Sequence, residues 1–139
     1  MHLIGLIALN PALRTLDENT YVPVKQAIDI AAPRIAKPLL LSCLTATTGL
    51  LVSAAAMAQE FVAVGSAVAL VALLVVLFAI LRGDLPINRT MAGWSAKELP
   101  ADWREVRAGW ERFFAVRVTA NSLALLAAGV AVYFSALDF

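Results

Sequence analysis

Three stretches of this sequence contain no Asp, Glu, Lys or Arg: Pro38 to Gln59 over 22 residues, Phe61 to Leu81 over 21, and Val118 to Leu137 over 20. The hydrocarbon core of a bilayer, about 30 Å thick, is crossed by about 20 helical residues. Hydrocarbon offers the backbone no hydrogen-bonding partner, so a segment of this length satisfies itself internally as a helix. A helix at a protein–water boundary carries a polar stripe at the 3.6-residue period, and the 61–81 run carries none. Three transmembrane helices follow. Apolar residues make up 61 % of the chain and charged residues 15 %, against about 45–50 % and about 25 % in soluble domains. That balance excludes a disordered chain, a nucleic-acid binder and most soluble enzymes.

A shorter charge-free run, Met1 to Leu13, has 13 residues. Extended to Leu16 it rises roughly 24 Å as a helix, marginal for a crossing. Two readings compete: a short first helix capped by the other three, or a natural first helix that begins upstream of Met1. The second is preferred. No Lys or Arg precedes the run, so it does not read as a cleaved signal peptide. The expected architecture is all-α, an integral membrane four-helix bundle forming a single transmembrane domain over residues 1–139. Its helices cover about 1–16, 38–58, 61–82 and 102–136, joined by loops 17–37 and 83–101.

All eleven cations fall between the first and second runs (Arg14, Lys25, Arg34, Lys37) or between the third and fourth (Arg82, Arg89, Lys97, Arg104, Arg107, Arg112, Arg117). The positive-inside rule makes that side cytoplasmic. Loops 14–37 and 82–112 are then expected inside a plasma (inner) membrane, with both termini outside. The brief Gln59–Glu60 turn predicts an antiparallel hairpin. Thr45, Gly49 and Ser53, and likewise Ala120, Ala124 and Ala128, offer small-residue faces for close helix contact, with Ser42 and Cys43 packed in the same helix. Residues 17–37, punctuated by Pro23, Pro33 and Pro38, read as a loop with a short amphipathic segment along the interface. Residues 82–89 read as the end of the third helix and a turn. Asp102, with Glu105 three places on, forms a capping-box pattern. The helical pattern from Asp102 to Phe134 is about 50 Å long, so the last helix is expected to project into the cytoplasm.

One face of that helix carries Trp103, Arg107, Trp110, Phe114, Arg117 and Asn121 at spacings of three and four. Residues so spaced share a stripe. Two readings stand: an interfacial aromatic belt whose arginines reach lipid phosphates, or a functional face. Arg117 and Asn121 enter the apolar run, where polar groups are costly and tend to face a bundle interior or cavity. Elsewhere the signals are weak. The one histidine, His2, and the one cysteine form no metal-ligand spacing. There is no phosphate loop, and the Arg-Gly-Asp at 82–84 sits on the cationic side.

The segment Pro86-Ile87-Asn88-Arg89, followed by Trp94, Leu99-Pro100-Ala101-Asp102-Trp103, Arg107, Trp110-Glu111-Arg112 and Arg117, resembles the small multipass membrane proteins grouped with the fungal anthrone oxygenases. Asn10-Pro11-Ala12-Leu13, with Tyr21 downstream, resembles that group's first-helix exit. The first helix is shorter than is common there, and Phe113-Phe114 stands where many members have a His. The resemblance implies oxidation of a lipophilic aromatic or quinol-type substrate by O₂ with no cofactor. It implies Arg117, Asn121 and Tyr21 as catalytic groups, and Asn10, Asn88, Trp103, Arg107, Trp110 and Phe114 as substrate-binding ones. In physical terms such chemistry needs a base, donors for a developing oxyanion and a dry aromatic pocket. No base is evident, since Glu111 lies one position off the stripe. The alternatives are a non-enzymatic membrane subunit, as a homo-oligomer or within a larger complex, and a lipid- or quinone-binding protein. Membrane lipid and a lipophilic aromatic ligand are the expected partners.

Overall fold

The computed structural model describes residues 4–137; His2 lies outside them. The chain is all-α. Helix α1 opens with a π-helical turn, Gly5–Leu9, and continues as Asn10–Arg14. Helix α2 is Glu18–Ala56. Helix α3 is Glu60–Ala79, carried through a π turn at Ile80–Asp84 into Leu85–Ala92. Helix α4 is Trp103–Leu137. Three of the four, α2, α3 and α4, are long and apolar enough to cross a membrane.

Each long helix exceeds what a bilayer needs. The 39 residues of α2 rise about 58 Å, nearly twice a hydrocarbon core of about 30 Å. The charge-free runs occupy the C-terminal part of α2, the N-terminal part of α3 and the C-terminal part of α4. The surplus of all three therefore gathers at one end, with the cations. Length beyond a bilayer's thickness, expected of the last helix, is thus common to all three.

This corrects the reading of residues 17–37 as a loop: all but the first belong to α2, with Pro23, Pro33 and Pro38 inside the helix. A proline costs an interior helix one hydrogen bond and a clash, but packing overrides it here. Tyr21, Val22 and Lys25 are buried along one face, and Gln26 Nε2 donates to the carbonyls of Met91 at 3.0 Å and Trp94 at 3.1 Å, closing the end of α3. Loop 83–101 is also shorter than expected, because α3 runs on to Ala92. The π turn explains how it passes Pro86. Leu85 N–H reaches back five residues to the Ile80 carbonyl, so the ladder resumes beside the residue that lacks a donor. Pro11 follows the π turn of α1 in the same way, Asn10 N–H bonding the Gly5 carbonyl.

The described part of α1 does not lie beside the apolar spans. Leu6 packs on Trp110, Phe114 and Val118, and Leu13 on Tyr21, Val22 and Trp103. Helix α1 thus runs antiparallel to the projecting half of α4. A crossing by residues 1–16, and the outside N-terminus that depended on it, are not seen among the described residues. The apolar face of Gly5–Arg14 finds its partner in the cation-bearing half of the bundle.

Within the apolar region α3 and α4 are closely packed. Ala72, Leu73 and Ala124 form one cluster and Ala54, Val62 and Ala131 another. The Ala120–Ala124–Ala128 face does turn inward, but Thr45, Gly49 and Ser53 turn outward, with Ser42 and Cys43. Helix α2 instead presents Leu40, Leu44, Thr47, Leu51 and Ala54 to its neighbours, a row whose three leucines offer more apolar surface to bury than Gly or Ser. The α2–α3 hairpin closes on Ala58 at φ 56°. Ala58 N–H bonds the Ala55 carbonyl and Gln59 N–H that of Ala54, the paired bonds of a Schellman cap.

Candidate functional site

The projecting end of the bundle has a polar core. Lys25 is 1 % exposed; its Nζ donates to Asp29 at 2.5 and 2.6 Å and to Asn88 Oδ1 at 3.1 Å. The same ammonium lies 4.2 Å from the centroid of Trp110. One turn nearer the spans, Arg117 pairs with Asp84, 3 % exposed, and its guanidinium lies 4.9 Å from the Phe114 centroid. Towards the other side, Arg107 covers the Tyr21 ring at 4.4 Å and bonds Glu111, which Arg14 of α1 also holds. Arg104 lies 5.4 Å from the Trp103 ring. Lys25, Arg107 and Arg117 therefore each meet an aromatic face as well as a carboxylate, contacts that offset part of the cost of placing a cation in a poorly solvated site.

The stripe on α4 faces the interior. Trp110 and Phe114 are buried with centroids 5.3 Å apart, and Trp103, Arg107, Arg117 and Asn121 are half-buried. Tyr21 joins them from α2, 6.0 Å from the Trp103 ring, and Asn10 is buried on α1. Asn88 comes from the tail of α3. The expected site residues thus gather at one end of the bundle, although not round one atom. Tyr21, Trp103 and Arg107 lie on the α1 side, Lys25, Asn88 and Trp110 in the middle, and Arg117 nearest the spans, with Asn121 one turn beyond it.

Three participants escaped sequence reasoning. Lys25 and Asp29 stand at an i, i+4 spacing amid Tyr21, Val22 and Ile28, a signal for a paired charge on a buried face. Asp84 was masked by the apparent turn around it. Together they supply one buried carboxylate, Asp84, and one half-buried, Asp29, where none was evident.

Several polar atoms here have no hydrogen-bond partner among the described residues: Asn10 Oδ1, Tyr21 Oη, Asp84 Oδ1, Arg107 Nη2 and Arg117 Nε. Buried donors and acceptors are normally satisfied, so this concentration marks a place for water or a ligand. No three His, Cys, Asp or Glu side chains converge as metal ligands among the described residues. Two openings flank α1 and α4. One of about 520 Å³ is lined by Arg14, Trp103, Arg104, Arg107 and Glu111 among others. A second of about 370 Å³ includes Leu6, Asn10, Arg14, Glu111 and Arg112. The Arg14–Glu111 pair is common to both.

Outside the spans, hydrogen bonding and charge from Glu111 push the Arg14 guanidinium further above its ordinary value. Asp17 caps α2 by accepting Thr20 N–H at 2.9 Å, and that bond holds its carboxyl below the usual range.

In comparisons with known proteins, no family model, curated protein or solved structure matches this chain.

Proposed function

We propose that this chain is a small integral membrane protein that takes a lipophilic phenol or quinol from the bilayer and oxidises it with O₂ without a resident cofactor, in line with its resemblance to the anthrone oxygenases. The observation that carries the reading is the buried carboxylate–cation core enclosed by Trp110 and Phe114, with Asp84 Oδ1 and Arg117 Nε unpartnered. Buried ion pairs are poor stabilisers compared with apolar packing, so their concentration in so small a protein argues for chemistry. On this reading Asp84 removes a proton from the activated methylene. Arg117 and Asn121 hold the oxyanion that develops. Tyr21 relays protons, and Trp103, Trp110, Phe114, Asn10, Asn88 and Arg107 position the rings. The methylene becomes a ketone, and O₂ supplies the new oxygen and leaves its second atom as water. The cationic end faces the cytoplasm, as the charge asymmetry of the loops favours.

The test is O₂ uptake by the detergent-solubilised protein with an anthrone. Asp84→Asn and Arg117→Ala should each lower the rate by 10²-fold or more, the usual scale for a general base or an oxyanion donor. Absence of turnover across anthrones and quinols refutes the reading. A second reading, a ligand-binding or accessory membrane subunit acting through a homo-oligomer or larger complex, is favoured by one observation. Arg117 is already paired with Asp84, while the open grooves lie beside α1. Cross-linking in native membranes that traps a partner, with no O₂ uptake, supports that alternative.

A further inference from the structure

The smaller groove between α1 and α4 shares Asn10 with the oxidation reading, but its other polar residues, Arg14, Glu111 and Arg112, have no part in that reading. It lies level with Leu6 and Ala115, just before Val118 opens the charge-free run of α4. Its membrane-proximal wall is apolar, through Leu6 and Ala115, and its rim carries two guanidinium groups, Arg14 and Arg112. Arg14 is 65 % exposed, and its contact with Glu111 leaves other N–H groups free for an incoming anion. At the back sits Asn10, 5 % exposed, whose Oδ1 has no donor. The Glu111 carboxylate lines the same groove, held by Arg14 and Arg107; a phosphate that draws Arg14 away would leave it an acceptor for a cation. The groove therefore offers phosphate donors at its rim and an unfilled acceptor plus a carboxylate inside.

We propose that this groove holds the head of a phosphatidylethanolamine lipid, its phosphate on Arg14 and Arg112 and its ammonium on Asn10 Oδ1 and beside Glu111. Charge-assisted hydrogen bonds of this kind are the strong ones, and basic pockets at the membrane surface are suited to lipid headgroups. A choline head has no N–H to give, so it leaves Asn10 unsatisfied. A glycerol head carries hydroxyl donors but no positive charge for Glu111. The assignment rests on the chain being a membrane protein and needs no oxidation; the two readings meet only at Asn10.

The test is native mass spectrometry of the full chain in detergent, with phosphatidylethanolamine, phosphatidylglycerol and phosphatidylcholine of matched acyl chains added in equal amounts. The ethanolamine lipid should be retained about tenfold over the choline lipid and severalfold over the glycerol lipid. Asn10→Leu should reduce the first ratio to about twofold, whereas Asn10→Asp, which keeps the acceptor, should preserve it. Arg112→Ala, at an exposed position that leaves the fold intact, should weaken retention of all three about fivefold. Glycerophosphoethanolamine, the same head without chains, should compete only at a hundredfold excess. Equal retention of the choline lipid, an unchanged ratio in a folded Asn10→Leu variant, or equal competition by the chainless head overturns the proposal. Failure of the membrane reading shows itself separately, as protein recovered in buffer without detergent.

Discussion

Lys25 on α2 and Trp110 on α4 meet with the ammonium 4.2 Å from the ring centroid, while Asp29, one turn along α2, closes on the same nitrogen at 2.5 Å. The lysine is sealed between a π face and a carboxylate. Removing one member of a buried pair strands the other in a medium that solvates it poorly, at a cost of about 3–5 kcal/mol. Lys25→Met should therefore lower stability by about 3 kcal/mol, the smaller end because Asp29 keeps some contact with water. The double variant Lys25→Met with Asp29→Leu should recover most of the loss. Thermal unfolding in detergent reads both, and a fully additive double variant contradicts the pairing.

Asp17 is the N-cap of α2, and its carboxyl is held below the usual range by the hydrogen bond from Thr20 N–H. A carboxyl whose native value is lowered contributes its stability fully above the unfolded value, near pH 4. The contribution is lost as pH falls through the lower native value. Asp17→Asn keeps a capping oxygen but cannot titrate. The gap in unfolding midpoint between wild type and Asp17→Asn should therefore be constant from pH 5 to 7 and change in the direction of wild-type loss below about pH 4. A gap independent of pH down to 2 contradicts the assignment.

Gly83 lies within the π turn of α3, and a Cβ there overlaps the Phe113 ring. Overpacking of this kind costs about 1–3 kcal/mol. Gly83→Ala should destabilise by that amount and displace the turn that sets Asp84 against Arg117. Combining it with Phe113→Leu should restore much of the loss, as read from unfolding midpoints. The Phe113–Phe114 pair thereby acquires a structural reason. One ring fills the space over Gly83 and the other lies against Gly5, where an added Cβ comes within 2.5 Å of Phe114.

Hydropathy alone located the three helices long and apolar enough to cross a membrane, because an apolar run of that length satisfies its backbone internally as a helix. The α4 stripe was legible for a related reason: six aromatic and polar residues at helical spacing need a buried face to share. The boundaries of α2 and α3 were hidden by prolines. A local rule that ends helices at Pro23, Pro33, Pro38 and Pro86 lacks two things, the packing of Tyr21, Val22 and Lys25 along one face and the π turn that precedes Pro86. Asp84 was hidden for the same reason, since it was read as part of a turn and not of a continuing helix. Lys25 and Asp29 were legible in spacing but fell within a segment read as amphipathic and interfacial, because the aromatic cover, Trp110, lies 85 positions along the chain from Lys25.

The surplus length of three helices at one end leads to a prediction about topology. If the charge-free runs define the spans, Arg34 on the polar half of α2 and Lys97 between α3 and α4 lie on the same side of the membrane. Ala58, at the α2–α3 hairpin, lies on the other. All three positions are exposed. In a Cys43→Ser background, single cysteines at 34 and 97 should react with a membrane-impermeant thiol reagent from the same face of sealed vesicles, and a cysteine at 58 from the opposite face. The distance makes the outcome sharp. Arg34 precedes Ala58 by 24 residues of nearly continuous helix, about 36 Å of rise, which exceeds a hydrocarbon core of about 30 Å. Labelling of 34 and 58 from one face would mean that α2 lies along the surface. The Lys25–Asp29–Asp84–Arg117 core would then stand in no fixed relation to lipid, and the proposed route of a lipophilic substrate into it would be lost.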